Sequence, residues 1–207
     1  MTVSVPAERI ERWVLNFNGR HGATALSVVG GALTGAAADG STFAARLPFE
    51  ARYAGLPDAA GFAAAATPPD DWGILLVRKG GFAVARLEGD KTVESKVGQR
   101  HVQGRTKAGG QSQQRFSRRR DNQARQAYEA AADHAARILG EGLDKLDQRR
   151  AVVTGGDHAA VTEVLEDPRL AKVTVVGPWL PVPDPKRGVL EQAVLDACAV
   201  RIEVHNA

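Results

Sequence analysis

Apolar residues recur at Ile10, Trp13, Val14 and Phe17 in PAERIERWVLNFNGRHG, the spacing of one helical face, and the pattern stops at Gly19 and Gly22. It predicts a helix from about Ala7 to Asn18. The period then shortens: ALSVV, the turn-rich GGALTGAAADG and STFAARLPF predict two or three short strands up to Phe49. Residues 51–71 are rich in Ala, Gly and Pro, end in TPPDD, and read as a linker.

Beyond it, WGILLVRKGGFAVARLEGDKTVESKVGQRHV predicts three consecutive strands, Trp72 to Val77, Phe82 to Leu87 and roughly Thr92 to Val102. Gly80-Gly81 and Gly89-Asp90 supply turns, so the three form an antiparallel meander. A loop from Gln103 to Gln111 leads into a long helix from about Gln113 to Leu139, capped by Ser112 and ended by Gly140. Phe116, Ala124, Ala127, Ala131, Ala135 and Ile138 keep to one face of it, and Arg115, Arg118, Arg119, Asn122, Arg125 and Glu129 fall largely elsewhere.

The last third alternates between strand (AVVTG, AKVTVVG, VRIEV) and helix (DHAAVTEVLED, RGVLEQAVLDAC), which implies parallel pairing through crossover units. Three meander strands, a long helix, then strand-helix-strand-helix is the order of an RNase H-like α/β domain. The expected fold class is therefore α/β, with an N-terminal α+β element over 1–66 and the larger domain over 67–207.

Composition narrows this little. The 207 residues are 43% hydrophobic and 25% charged, ordinary for a globular chain. The single cysteine, Cys198, makes no internal disulfide and reads as a buried small hydrophobe; MTVSVPAERIERW lacks the pattern of a secretory signal, and no apolar run reaches the roughly 20 residues of a membrane span. The expected compartment is the cytoplasm. Trp13, Trp72 and Trp179 sit in apolar patterns and read as core or interface residues.

Charge changes the picture. Residues 100–125 carry Arg100, Arg105, Lys107, Arg115, Arg118, Arg119, Arg120 and Arg125 against Asp121, so the segment is 8 − 1 = +7 and the remainder, from a total of +3, is 3 − 7 = −4. A local basic patch on a mildly acidic chain is the footprint of a polyanion contact, and nucleic acid is the expected partner. A net charge of +7 would repel itself on a merely solvated helix face.

Inside the patch stand Gly109, Gly110 and Gln111, none of them a useful acid, base or nucleophile. The run GGQSQQRFSRRR closely resembles the catalytic loop and helix of eukaryotic and archaeal class I peptide-chain release factors, with Gln111, Ser112, Arg115 and Phe116 in matching places. WGILLVRKGGFAVARLEG and the N-terminal RW...F..RHG element resemble the Vms-like release factors more closely, particularly their short actinobacterial branch. The resemblance spans the chain and is most specific over residues 72–139.

That resemblance implies codon-independent hydrolysis of peptidyl-tRNA on stalled or split ribosomes, because the stop-codon-reading domain is missing. The long zinc-finger and ankyrin additions of the eukaryotic Vms-like proteins, and the extra serine of their glycine-glutamine motif, are missing too. It assigns catalysis to Gly109, Gly110 and Gln111, the glutamine offering its main-chain N–H to the 3′ oxygen and its side-chain amide to a water. Backbone N–H groups stabilise developing charge without ionising, and glycines let the backbone approach the ester. Arg100, Arg105, Lys107, Arg115, Arg118, Arg119 and Arg120 are then the nucleic-acid contacts, setting register on phosphates. The implied partners are the large ribosomal subunit and peptidyl-tRNA, with the protein a monomer that needs no cofactor or metal.

Other readings stay open. Relatives of this domain have been linked to cutting tRNA near its CCA end, which would make the chain a nuclease; a noncatalytic ribosome-binding rescue factor and a hydrolase of free peptidyl-tRNA are the others. An RNase H-type two-metal nuclease needs carboxylates on its first strand, and GILLV has none, Asp70 and Asp71 reading as turn residues. TGGDHAA at 154–160 could receive a phosphate on a helix N-terminus, although it lacks the Lys and Ser/Thr of a P-loop and reads as a tight turn. His101, His134 and His158 share no metal-ligand spacing.

Overall fold

The structure, a computed structural model, describes the backbone of residues 1–99, 111–143 and 149–207, and the side chains of these except over 111–124. The chain divides into two compact units: Met1–Pro68 with Val194–Ala207, and Pro69–Ala193.

The first unit is a five-stranded antiparallel sheet with two helices. Its strands are β1 (Thr2–Val5), β2 (Thr24–Val29), β3 (Ala32–Ala37), β4 (Thr42–Arg46) and β10 (Val200–His205), in the spatial order β1-β10-β4-β3-β2. Helix α1 (Ile10–His21) buries Ile10 and Phe17, and Trp13 and Phe17 stack together, with Phe43 on β4 nearly perpendicular to both. Helix α2 (Ala59–Ala65) starts at Asp58, whose carboxylate accepts from the Gly61 N–H. It buries Phe62 completely, beside Tyr53. The stretch expected as a linker thus contributes core: an Ala-rich segment with one N-cap and one aromatic is enough to dock.

The last strand is a second correction. VRIEV does not extend the larger sheet by a parallel crossover; β10 pairs antiparallel with β1 through Val5↔Val200 and with β4 through Ile202↔Ala45. Val200, Ile202 and Val204 alternate inward with Arg201, Glu203 and His205 outward, the signature of a strand with one covered face. Alternation specifies a half-buried strand and not its neighbours.

The second unit holds β5 (Trp72–Arg78), β6 (Gly81–Glu88), β7 (Lys91–Gln99), β8 (Arg150–Gly156) and β9 (Val173–Leu180) in the order β7-β6-β5-β8-β9. The first three form the expected antiparallel meander, and β8 and β9 join parallel to β5. From Trp72 to Val77 every side chain of the central strand β5 is buried, so it reads as a continuous apolar run. Helix α3 (Gln111–Gly140) follows β7 and α4 (His158–Leu165) connects β8 to β9. Helix α5 (Arg187–Cys198) contains the boundary between the units. Cys198 is only half-buried.

On one face of this sheet Leu75, Val77, Phe82, Val84 and Val152 form a core with Tyr128, Ala131, Ala135, Ile138 and Leu139 of α3 and Ala160, Val161 and Val164 of α4. Alanines at 127, 131 and 135 bring α3 close to the strands, and Ala has the highest helix propensity, so packing and local preference agree.

Candidate functional site

Gly109 and Gly110 lie outside the described residues, as do Arg100, Arg105 and Lys107. Gln111 is the first residue of α3, two residues earlier than the expected start, so Ser112 sits within the first turn and does not precede it. Arg115, Arg118, Arg119 and Arg120 follow on the same helix, in the stretch whose side chains are not described.

The backbone alone places these positions. Thirty residues of α-helix extend about 45 Å, and Gln111 precedes Ala127, where the described packing begins, by about 24 Å along the axis. At about 100° per residue, positions 115, 118 and 119 fall on the side opposite the line Ala131-Ala135-Ile138, whereas position 120 falls on that line. Farther along, Arg125 and Glu129 are exposed and Ala127 and Tyr128 are buried, as the periodicity predicts.

Three arginines anchor the packed half of this helix. Arg137 donates from Nη1 to Glu94 on β7. Arg169, in the 3₁₀ turn Pro168–Leu170, donates from Nη2 to Asp133 at 2.7 Å and to Asp167 at 2.6 Å. The Arg169 guanidinium and backbone N–H hold the Asp167 carboxyl below the usual carboxylate range. Arg150, which opens β8, has its side chain only 1% exposed and donates to the carbonyls of Leu139 and Glu141 (2.9 Å) at the end of α3. Its charge is met by Asp71, with Nη2 to Oδ2 at 2.7 Å and Nε to Oδ2 at 3.0 Å. Asp71 also accepts from Arg86 Nε at 3.0 Å.

Sequence reasoning missed Arg150. Its only signal is an arginine directly before AVVTG, and it occupies carbonyls that a helix end otherwise leaves open. Burial, with the negative charges of Asp157 and Glu163, pushes the Tyr128 phenol up. The group titrates no nearer neutrality, consistent with a packing residue.

Among the described residues the competing sites do not assemble. Both oxygens of Asp71 are engaged by arginines, and among the described residues no group of three His, Cys, Asp or Glu side chains converges to hold a metal. Asp157 caps α4 by accepting from the N–H groups of Ala159 (3.0 Å) and Ala160 (3.3 Å), so its own carboxylate occupies the donors a phosphate would use. The glycines before it serve close packing: Gly156 has φ +103°, and a Cβ there would stand 2.3 Å from the Val77 carbonyl oxygen. His134 stacks on Phe82 and His158 on Trp179, the latter with ring centroids 3.5 Å apart; His101 lies outside the described residues.

The family model described as Actinobacteria/chloroflexi VLRF1 release factor matches residues 70–203, well over half of the chain. The chain belongs to this VLRF1 release factor family. The matched span runs from the turn before β5 into β10 and includes Gly109, Gly110, Gln111 and all of α3. The chain is also 29% identical over 97 residues to "Peptide chain release factor subunit 1" of Thermococcus sibiricus (strain DSM 12597 / MM 739). That likeness covers 47% of this chain and 23% of the archaeal protein, so the chain spans a minor part of that relative. Among the described residues no helix is long and apolar enough to cross a membrane.

Proposed function

We propose that this protein hydrolyses the ester of peptidyl-tRNA on stalled or split ribosomes in the cytoplasm, without reading a codon and as a monomer. The observation that carries the reading is the start of α3 at Gln111, directly after Gly109-Gly110. The first N–H groups of a helix have no intrahelical acceptor and sit at its positive end, so a glutamine there has a main-chain donor that the helix itself does not use, suited to developing negative charge.

In this mechanism a water held by the Gln111 side-chain amide attacks the ester carbonyl carbon. The new C–O bond forms as the bond to the tRNA 3′ oxygen breaks, the Gln111 N–H stabilises that oxygen, and a proton from the water ends on it. The nascent chain leaves as a carboxylic acid and the tRNA with an intact CCA end. Gly109 and Gly110 let the backbone approach the ester. The arginines and Lys107 hold the loop on ribosomal RNA by phosphate contacts.

We read the second unit as an RNase H-like domain, supported by its order of three antiparallel strands followed by two parallel ones. A nuclease reading would route through an internal 2′-hydroxyl attack, since Asp71, the carboxylate beside the first strand, is held by Arg150 and Arg86.

The deciding experiment incubates the purified protein with stalled ribosomal complexes carrying a labelled nascent chain, then recovers the tRNA. Hydrolysis yields free peptide and tRNA that recharges without CCA repair. Peptide attached to a 3′ fragment, with tRNA that needs repair, marks the nuclease. Ribosome binding with no Gln111-dependent release marks a docking factor.

A further inference from the structure

The first unit contains a cavity of about 260 Å³ that the release chemistry leaves without a role. It lies between one side of α1, which contributes Trp13, Asn16, Phe17, Arg20 and His21, and the paired ends of β1 and β10, where the Val204 N–H donates to the Met1 carbonyl at 2.8 Å. Two kinds of surface meet there. Trp13 and Phe17 lie stacked, with centroids 5.6 Å apart and 17° between planes, and the Phe43 ring stands nearly perpendicular to both, so the apolar wall is rigid. Phe17 is buried, and Trp13 keeps part of its surface open.

The polar side is cationic and amidic. Arg20 and Asn16 are exposed beside the wall, and the His21 ring lies 4.6 Å from that of Phe17. His21 Nδ1 meets Asp39 Oδ2 at 2.9 Å, which fixes the ring's orientation and leaves Nε2 as its nitrogen for a ligand. Asp39 is itself held as a carboxylate, first by the Ser41 backbone N–H and then by His21. The carboxylate of this cluster is therefore committed to internal partners, whereas Arg20 takes part in none of the described ion pairs.

A rigid aromatic wall beside an arginine and a side-chain amide is the combination that recognises an unstacked base together with its phosphate. The volume falls just under the range of sites for drug-sized ligands, so it admits one planar group with its sugar and no base pair. We infer that this cavity takes a single unpaired RNA nucleotide, the base against Trp13 and the phosphate on Arg20. The choice of RNA over a free nucleotide rests on the proposed action at the ribosome; the nucleotide chemistry rests on the cavity alone.

The test titrates isotope-labelled full-length protein with AMP and with single-stranded hexa-adenylate, following the Trp13 indole N–H by NMR. Arg118, Arg119 and Arg120 are reversed to Glu in the protein used, so that the basic patch does not compete. Saturable shifts of Trp13 are expected, with hexa-adenylate tighter than AMP, and adenosine and ribose 5-phosphate each weaker than AMP by about tenfold. Arg20→Glu, at an exposed position, should weaken AMP by about tenfold with the fold unchanged. Trp13→Phe, which keeps the packing but shrinks the wall and is followed by the backbone N–H signals of Phe17 and Arg20 instead, should weaken it less than Arg20→Glu does.

Absence of any shift with both probes, or AMP binding untouched by Arg20→Glu, overturns the site. Tighter binding of AMP than of hexa-adenylate, or saturation by an acidic peptide but not AMP, overturns the RNA assignment. No ribosome or release assay enters this test, so its failure and that of the hydrolase reading are separately visible.

Discussion

Arg150 Nη2 and Asp71 Oδ2 stand 2.7 Å apart, the guanidinium almost wholly buried and the carboxylate 38% exposed. The contact joins the start of β8, the start of β5 and, through the carbonyls of Leu139 and Glu141, the end of α3. Breaking a buried pair by removing one partner costs about 3–5 kcal/mol because it strands the other charge. Asp71→Ala should therefore lower the stability of the second unit by about 3 kcal/mol, the low end, since Asp71 keeps contact with water. Urea unfolding measures it. A loss below about 1 kcal/mol, the range of surface bridges, would show the pair to be peripheral. The double variant Asp71→Ala, Arg150→Met should lose less than the sum of the two single changes, because the pair is removed together.

That pair also marks the limit of what sequence patterns reveal. The meander is legible because β5 is a continuous apolar run and a Gly-containing turn stands before each of β6 and β7; α3 is legible from Ala127, Ala131, Ala135 and Ile138 at helical spacing. The partners of β10 are not, because alternation at Val200, Ile202 and Val204 says that one face is covered and nothing about by which strands. Asp71 reads as a turn residue because its partner lies 79 positions away. At the candidate site Gly109, Gly110 and Gln111 stand out through their charged context and family likeness, whereas the cavity beside Trp13 depends on β1 and β10 meeting, which no local pattern encodes.

Asp167 gives a pH signature. Its carboxyl is held below the ordinary value by the Arg169 side chain first and the Arg169 N–H next. A folded-state value below the unfolded one contributes stability that is present above the unfolded pKa and disappears as pH falls through the folded one. Acidifying from about pH 5 to about pH 2 should thus lose this contribution. Asp167→Asn should be less stable than the parent at neutral pH, with the difference narrowing in acid. A constant difference across that window would mean that Arg169 does not act through the charge.

The basic patch predicts a salt law. Each phosphate neutralised contributes about −0.7 to −0.9 to the slope of log affinity against log salt. Reversing Arg118, Arg119 and Arg120 to Glu should flatten that slope by at least about 2 and abolish co-sedimentation with the large subunit, with the circular dichroism of the protein unchanged. Undiminished binding by the triple variant would remove this segment from the interface.

The sharpest expectation compares two neighbours. If Gln111 works through its main-chain N–H, Gln111→Ala keeps that donor and loses only the amide that positions water. Gly110→Ala adds a Cβ where the backbone must approach the ester and narrows the conformations open to it. Gly110→Ala should then impair single-turnover peptide release at least as severely as Gln111→Ala, by about 10²-fold or more, the range seen when one preorganised donor is lost. Both variants should bind ribosomes like the parent, because neither touches the arginines or Lys107. Gly110→Ala with full release activity would mean that the loop does not act through its backbone, and the proton and charge handling would have to be sought in ribosomal RNA or in the Gln111 amide alone.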